Sequence, residues 1–339
     1  MSYGSSNWQS WVLDEAEAFP LLEHAYALGI NTWDTADVYS HGRSEEIIGK
    51  FLREKQIPRD RVVIMTKCYF GVDDQGGQPP NRATIYNDGK EWVNRVGLSR
   101  KHVFDAVEGS VRRLGTFIDV LQIHRLDRNT SREEVMRALN DVIDSGKVRY
   151  IGASSMAAWE FQSLQNIAAR NGWHQFISMQ NLHNLICREE EREMIPYCKD
   201  TGIGLIPWSP LARGVLARPW GSRSTVREST DMSLKSIIRD RETVADETVV
   251  GRVEELAKKK GTTMAQVAIA WCLSNGENPI LGLNSVGRIE EAVSAISVQL
   301  TEEEKQKITD ATEAVLIVFG KLCEDTAPTA LWLNYIRER

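Results

Sequence analysis

Residues 30–49 read INTWDTADVYSHGRSEEIIG. An apolar run ends in two carboxylates, Asp34 and Asp37, and a tyrosine, Tyr39, stands just beyond them. Ser44-Glu45-Glu46 then reads as a helix start, with a capping serine and acids in the first turn. Asp34 and Tyr39 lie five residues apart across a strand-to-loop boundary, so both side chains can converge on one pocket while the backbone between them turns.

The same unit, an apolar strand followed by an amphipathic helix, recurs along the chain. Strands are expected over 30–36, 62–66, 120–123, 148–153, 176–179, 204–207 and 279–281, seven in all. Helices are expected over 16–28, 44–55, 100–114, 131–145, 157–169, 188–201, 247–259, 264–275 and 288–296, with Gly29, Gly115 and Gly202 closing elements. Strands that are apolar throughout imply a parallel sheet covered by helices on its faces. Several units repeat at about 28 residues, which fits a (β/α)8 barrel at least as well as a doubly wound sheet. The connections 68–99 and 209–243 are long and rich in Gly, Pro, Arg and Asp, a pattern of functional lids. No break in composition marks a boundary, so one domain over 1–339 is expected, with a core of about 11–300 and a helical tail over 301–339.

The 339 residues carry a net charge of −6 and are 42% apolar, enough for a large core. No clustered basic footprint exists to neutralise phosphates, which argues against nucleic acid as a partner. No apolar run approaches the roughly 18 residues a membrane span needs, and the start lacks the pattern of a signal peptide. Cys68, Cys187, Cys198, Cys272 and Cys323 are odd in number, without CxxC or zinc-ligand spacing, so reduced thiols, a cytoplasmic location and no metal site are expected.

The residues at the C-terminal ends of the seven strands are Asp34, Lys67, His124, Ser154, Gln180, Trp208 and Gly282. Polar groups ending otherwise apolar strands mark the active face of a barrel. Asp34, Tyr39, Lys67 and His124 suggest one chemistry. A phenol titrates near 10, an adjacent ammonium lowers that value, and a carboxylate holds the ammonium in place. With His124 donating to the same carbonyl oxygen, the group is a general acid that protonates an oxygen as hydride reaches its carbon. The plainer reading, with Asp34 capping a turn and Tyr39 packed as an ordinary aromatic, weakens when the four are taken together. No GxGxxG follows a strand and no GxxxxGK occurs, so other nucleotide folds have no support.

DTADVY at Asp34, MTK ending at Lys67, QIHRLD around His124, SGKVRYIGASS from Ser145 and IPWSPLARG from Ile206 together resemble the aldo-keto reductases, in that family's order. The similarity runs from about Trp11 to Leu300 and is greatest to the fungal aryl-alcohol dehydrogenase-like branch. The resemblance implies a (β/α)8 barrel and reversible, NADPH-dependent reduction of aldehydes or ketones, here on aromatic or polyketide-derived carbonyls. It implies Tyr39 as proton donor, Lys67 and Asp34 tuning it, and His124 orienting the carbonyl. It further implies that Ser154, Ser155 and Gln180 meet the nicotinamide carboxamide and that Trp208 stacks on the ring. Ser209, Leu211 and Arg213 would cover the pyrophosphate, Asn284, Ser285 and Arg288 the 2′-phosphate at a helix start, and Glu291 the adenine. Ser155 and Ala292 stand where the family often has Asn, and Trp208 where it often has Tyr.

Substrate selection is expected from the loops, with Trp11, Tyr69, Phe70, Trp92 and Trp220 as aromatic candidates; apolar stretches in the tail, 315–318 and 331–336, carry no chemistry. Two rival readings are a Schiff-base aldolase using Lys67 and a nucleotide-binding regulatory subunit of the channel β-subunit type. Similar reductases also carry about twenty residues before the stretch matching Met1-Ser2-Tyr3-Gly4. A truncated or missing first strand is therefore expected, with at most a residual strand in residues 1–10 and unpaired backbone between strands 30–36 and 279–281. The alternative expectation is a natural start further upstream.

Overall fold

The computed structural model of the protein describes residues 1–73, 92–231, 234–235 and 238–310. Its centre is a parallel sheet in sequential order: β1 (Thr32–Asp34), β2 (Val63–Cys68), β3 (Ile118–Ile123), β4 (Val148–Ser154), β5 (Phe176–Gln180) and β6 (Gly204–Leu205). Around it run α1 (Glu15–Ala27), α2 (Arg43–Glu54), α3 (Arg100–Leu114), α4 (Arg132–Asp144), α5 (Ala158–Asn171), α6 (Met194–Thr201), α7 (Val226–Thr230), α8 (Val244–Lys260), α9 (Met264–Ser274) and α10 (Val286–Ser294).

Local chemistry explains the helix ends. Ser99 and Ser131 cap α3 and α4 by accepting from the backbone N–H three residues on, and Thr243 and Thr263 form capping boxes with Asp246 and Gln266 at α8 and α9. Gly115 takes φ +70° after α3 and turns the chain into β3, a conformation a side chain would resist.

The sheet has two differently packed faces. Outward, Ile64, Leu121, Ile123 and Ile151 pack with Val103, Val107, Leu139 and Phe161 of the helices into the main core. Inward, Met65 and Val120, paired in register, join Ile206 and Ile280 in a small apolar plug. One layer further along the same strands, Lys67 pairs with Gln122. Because successive inward positions are two residues apart, a polar layer rests directly on the plug.

Among the described residues six strands stand where seven were expected. The segment 279–281 makes only the parallel bridge of Ile280 to Trp208, with Asn278 donating to Leu205 O at 2.9 Å and Ile280 to Pro207 O at 2.8 Å. Ile206 and Trp208 donate to the other side, so residue 207 is the one that would donate back across this bridge, and Pro207 has no N–H to do so. No regular strand forms in residues 1–10; Tyr3 makes one bridge to Leu13, and its hydroxyl donates to Leu283 O across the edge beyond β1. The helix expected over 188–201 is broken into a 3₁₀ turn, Glu189–Glu191, and α6, whose first turn accommodates Pro196. Ser44 does not cap α2. It is a buried first-turn residue that accepts from Thr35 Oγ1 at 2.9 Å, while buried Glu45 accepts from Thr66 Oγ1 and Arg113 Nε, each at 2.6 Å, tying α2 to β2 and α3. Cys68, Cys187, Cys198 and Cys272 are unbridged; Cys323 and the apolar stretches of the tail lie outside the described residues, as do residues 74–91 of the first long connection. No helix among the described residues is long and apolar enough to cross a membrane.

After β5 a buried ion cluster fixes the chain beside the strand tips. His183 Nε2 stands 3.0 Å from Glu191 Oε1 and its Nδ1 2.7 Å from Glu277 Oε1. Burial alone would lower the imidazole, but the two glutamates outweigh it and lift its pKa from 6.5 to about 9. A raised folded-state value stabilises fully below the unfolded value and is lost as pH rises through the folded one. The melting-temperature gap between wild type and His183→Gln should therefore be widest below pH about 6.5 and narrow toward pH 9; a pH-independent gap would contradict this account.

Candidate active site

Three strand tips and one turn bring the four expected residues together. Lys67, on β2, donates from Nζ to Asp34 Oδ2 of β1 at 2.5 Å and to Thr35 O at 2.9 Å. Both side chains are sealed from water, at 1% and 6% exposure, so the pair is not a screened surface contact. Tyr39 N–H donates to Ala36 O at 3.1 Å, and Ser40 and His41 follow with φ of +51° each. The centroid of the Tyr39 ring lies 5.3 Å from Lys67 Nζ. His124, just past β3, donates its backbone N–H to Cys68 O at 3.0 Å, and its ring meets the Tyr39 ring edge-on at 5.8 Å.

Burial pushes the Tyr39 phenol above its ordinary pKa, while Lys67 pulls in the opposite direction by charge and hydrogen bonding. The lowered phenol expected from the sequence is thus corrected: Lys67 acts with the expected sign, but desolvation of the phenolate is larger. The phenol is protonated at neutral pH, as an ordinary tyrosine is, and Lys67 limits how weak an acid burial makes it. Burial by itself would lower Lys67, but Asp34 and Tyr39 raise it above the ordinary lysine value, so it remains a cation. Asp37, the second carboxyl of the opening motif, is wholly buried, and burial followed by the Glu45 charge pushes it well above its usual range.

Asp34 has two further partners. Gln122 Nε2 and Gln180 Nε2 donate to its Oδ1 at 3.0 and 2.9 Å. Ser154 donates from Oγ to Gln180 O at 2.7 Å, and Ser155, at φ +54°, donates its N–H to Asn181 Oδ1 at 2.9 Å. Trp208 follows β6. Ser209, Ala212 and Arg213 all take positive φ, a cluster of strained non-glycine backbone that needs external support. Asn184 Nδ2 supplies part of it by donating to Ser209 O at 2.9 Å. Leu211 packs between two apolar clusters. Ser285 caps α10 by accepting from Arg288 N–H at 3.4 Å, Arg288 donates to Asn284 Oδ1, and Glu291 lies farther along the helix, partly exposed.

The loop after β6 also brings Arg218 and Arg227, which sequence reasoning missed, toward the expected Arg213 and Arg288. Arg213 and Arg227 both hold Asp231 Oδ2, at 2.7 and 2.9 Å. Arg218 and Arg227 are each lowered first by burial, with the Arg288 charge lowering both further. Burial would raise Asp231, but Arg213 and Arg227 hold it below its ordinary value. Among the described residues, the buried Nε of Arg213 and the indole N–H of Trp208 have no hydrogen-bond partner. Guanidiniums crowded this closely, with buried donors unspent, fit an anionic group bearing several acceptor oxygens.

Aromatic rings line the approach. Trp8, Tyr39, His124, Phe70 and Tyr69 form a chain with centroid separations of 6.1, 5.8, 5.1 and 5.0 Å. Tyr69 and Phe70 were expected there, whereas Trp8 was not. Trp11 is covered by Arg227 at 4.5 Å, Trp92 is buried with Arg95 at 4.8 Å, and Trp220 lies between Arg223 and Arg239, so none of the three joins this chain of rings.

Comparison with known proteins gives a consistent picture. A family model described as the aldo/keto reductase family matches residues 1–313. The chain is 66% identical over 311 residues to versiconal hemiacetal acetate reductase of Aspergillus parasiticus, covering 91% of each chain. It is 53% identical over 311 residues to a provisionally named aryl-alcohol dehydrogenase of Schizosaccharomyces pombe, covering 90% of this chain and 88% of the other. To an aldo-keto reductase of Alternaria alternata it is 47% identical over 322 residues, covering 93% of this chain and 87% of that one.

The opposed influences on Tyr39 are separable. Lys67→Met removes the cation that pulls the phenol down, so the Tyr39 ionisation should move to still higher pH. Titration of the tyrosinate absorbance band, with Tyr39→Phe counterparts subtracted, measures it; an unmoved or lowered ionisation contradicts the electrostatic reading.

Proposed function

The chain belongs to the aldo/keto reductase family, and we propose that it reduces aldehyde or ketone groups with NADPH. The observation that carries this reading is the convergence of Tyr39, Lys67, Asp34 and His124 at neighbouring strand tips, with a protonated phenol beside a fixed ammonium. NADPH, when bound, supplies the hydride that reduces the carbonyl carbon. Tyr39 gives its proton to the carbonyl oxygen, and the phenolate left behind is stabilised by Lys67. Asp34 keeps Lys67 charged and aimed. His124, edge-on to Tyr39, orients the same oxygen.

For the cofactor, Ser154, Ser155, Gln180 and Trp208 are assigned to the nicotinamide end. Ser209, Leu211 and Arg213 are assigned to the pyrophosphate, and Asn284, Ser285, Arg288 and Glu291 to the adenosine 2′-phosphate end, with Arg218 and Arg227 adding positive charge between them. Capping by Ser285 leaves the other first-turn N–H groups of α10 available to an anion. We read the six-stranded sheet as part of a (β/α)8 barrel, a single domain over 1–339 acting in the cytoplasm.

The aromatic chain from Trp8 to Tyr69 suits a flat, conjugated substrate, since each ring offers a face or an edge to another π-system. Relatives named for versiconal hemiacetal acetate and for aryl alcohols support aromatic or polyketide-type carbonyls of secondary metabolism. A Schiff-base role for Lys67 is disfavoured, because such lysines need a depressed pKa and this one is raised. A purely regulatory, nucleotide-binding role would not require the four groups to be assembled.

Two measurements test the reading. Tyr39→Phe should abolish NADPH consumption with aromatic aldehydes and ketones while leaving the NADPH Kd within a few fold; joint loss of binding and turnover contradicts the assigned role. Arg288→Ala should weaken NADPH roughly ten- to a hundredfold and NADH far less, the loss of one charge-assisted contact. Equal weakening of both cofactors would remove Arg288 from the 2′-phosphate.

A further inference from the structure

Gln122 has no place in the proton relay as drawn so far, yet it is wholly buried on β3 at an inward position above apolar Val120. Leucine would fill that position and extend the plug, whereas a buried carboxamide without partners is destabilising. Its partners are therefore informative. Nε2 donates to Asp34 Oδ1 at 3.0 Å, and Oε1 accepts from Gln180 Nε2 at 3.1 Å. Gln180 Nε2 also donates to Asp34 Oδ1 at 2.9 Å, which closes a triangle of three side chains from β1, β3 and β5.

The chemistry of the carboxylate sets the orientation of both amides. An ionised carboxylate only accepts hydrogen bonds, so each glutamine must turn its NH₂ toward Asp34. Both N–H bonds of Gln180 are then spent, one on Asp34 and one on Gln122, and Oε1 is the atom left to face the site. We infer that Gln122 is a positioning residue with two linked effects. It holds Asp34 against Lys67, and it locks Gln180 with its carbonyl outward, so that Gln180 accepts from the amide NH₂ of the nicotinamide. One carboxylate thereby sets both the proton relay and the polarity at which the cofactor ring is met. This inference rests on the NADPH reductase reading above.

The test uses Gln122→Leu, which keeps volume and removes both hydrogen bonds, and Gln122→Glu, which keeps shape. Turnover of an aromatic aldehyde with NADPH is measured from pH 5 to 9, NADP⁺ Kd by tryptophan fluorescence, and stability by thermal melting. Gln122→Leu should lower kcat about tenfold or more and weaken NADP⁺ several fold, with the aldehyde KM within about twofold. Gln122→Glu should work at low pH, where its protonated carboxyl donates to Asp34. It should lose activity as pH rises through an ionisation that wild type and Gln122→Leu lack, since a neighbouring carboxylate makes the second charge costly. A lowered melting temperature with kcat, Kd and pH profile within twofold of wild type in the soluble variants would overturn the inference. If Gln122→Leu does not fold, the pH profile of Gln122→Glu decides alone. A wild-type protein that binds NADP⁺ but never oxidises NADPH contradicts the reductase reading instead, and the NADP⁺ Kd of the variants then still tests Gln122.

Discussion

The ion pair between Lys67 and Asp34 is the constraint on which the site depends. Two charges almost wholly withdrawn from water are each costly, and removing one partner of such a pair typically destabilises by about 3–5 kcal/mol because the other charge is left uncompensated. The protein offsets that cost by surrounding the pair with fixed dipoles: Thr35 O on the ammonium, and the Gln122 and Gln180 amides on the carboxylate. Below it, the plug of Met65, Val120, Ile206 and Ile280 keeps water out and packs β2 and β3 against the segment after β6 and the segment around Ile280. Burial around the pair also raises the Tyr39 phenol, and the Lys67 charge opposes that rise, limiting how weak an acid the phenol becomes.

The rest of the active face is arranged around charge of the opposite sign. Across the strand tips from the carboxylate, Arg213, Arg218, Arg227 and Arg288 repel one another, with Asp231 balancing only part of the cluster. A strained run of backbone, Ser209 to Arg213, carries one of these cations. In the proposed reaction the relay end performs proton transfer at a sealed, nearly neutral network, and the cationic end binds phosphate.

The sequence by itself determined a good deal. Apolar strands in alternation with amphipathic helices require a parallel sheet with covered faces, and the strand tips Asp34, Lys67, His124, Ser154 and Gln180 were readable because a polar residue ending an apolar strand is a departure from pattern. The turn residue Tyr39 was picked out by its spacing to Asp34 taken together with Lys67 and His124. Other features could not be read, for physical reasons. Strand count failed at 279–281 because Pro207, on the facing segment, has no N–H to donate across, an effect visible only when the partner is known. The direction of the Tyr39 shift was misjudged because charge is written in a sequence but desolvation is a property of the assembled surroundings. Gln122 is one glutamine among many until the register sets it opposite Lys67, and Arg218 and Arg227 are loop cations until the chain folds them toward Arg288. Period and residue type thus determined most of the elements and the residue types that end them. Which groups share one dielectric environment, and so which interaction wins, was decided only by the tertiary structure.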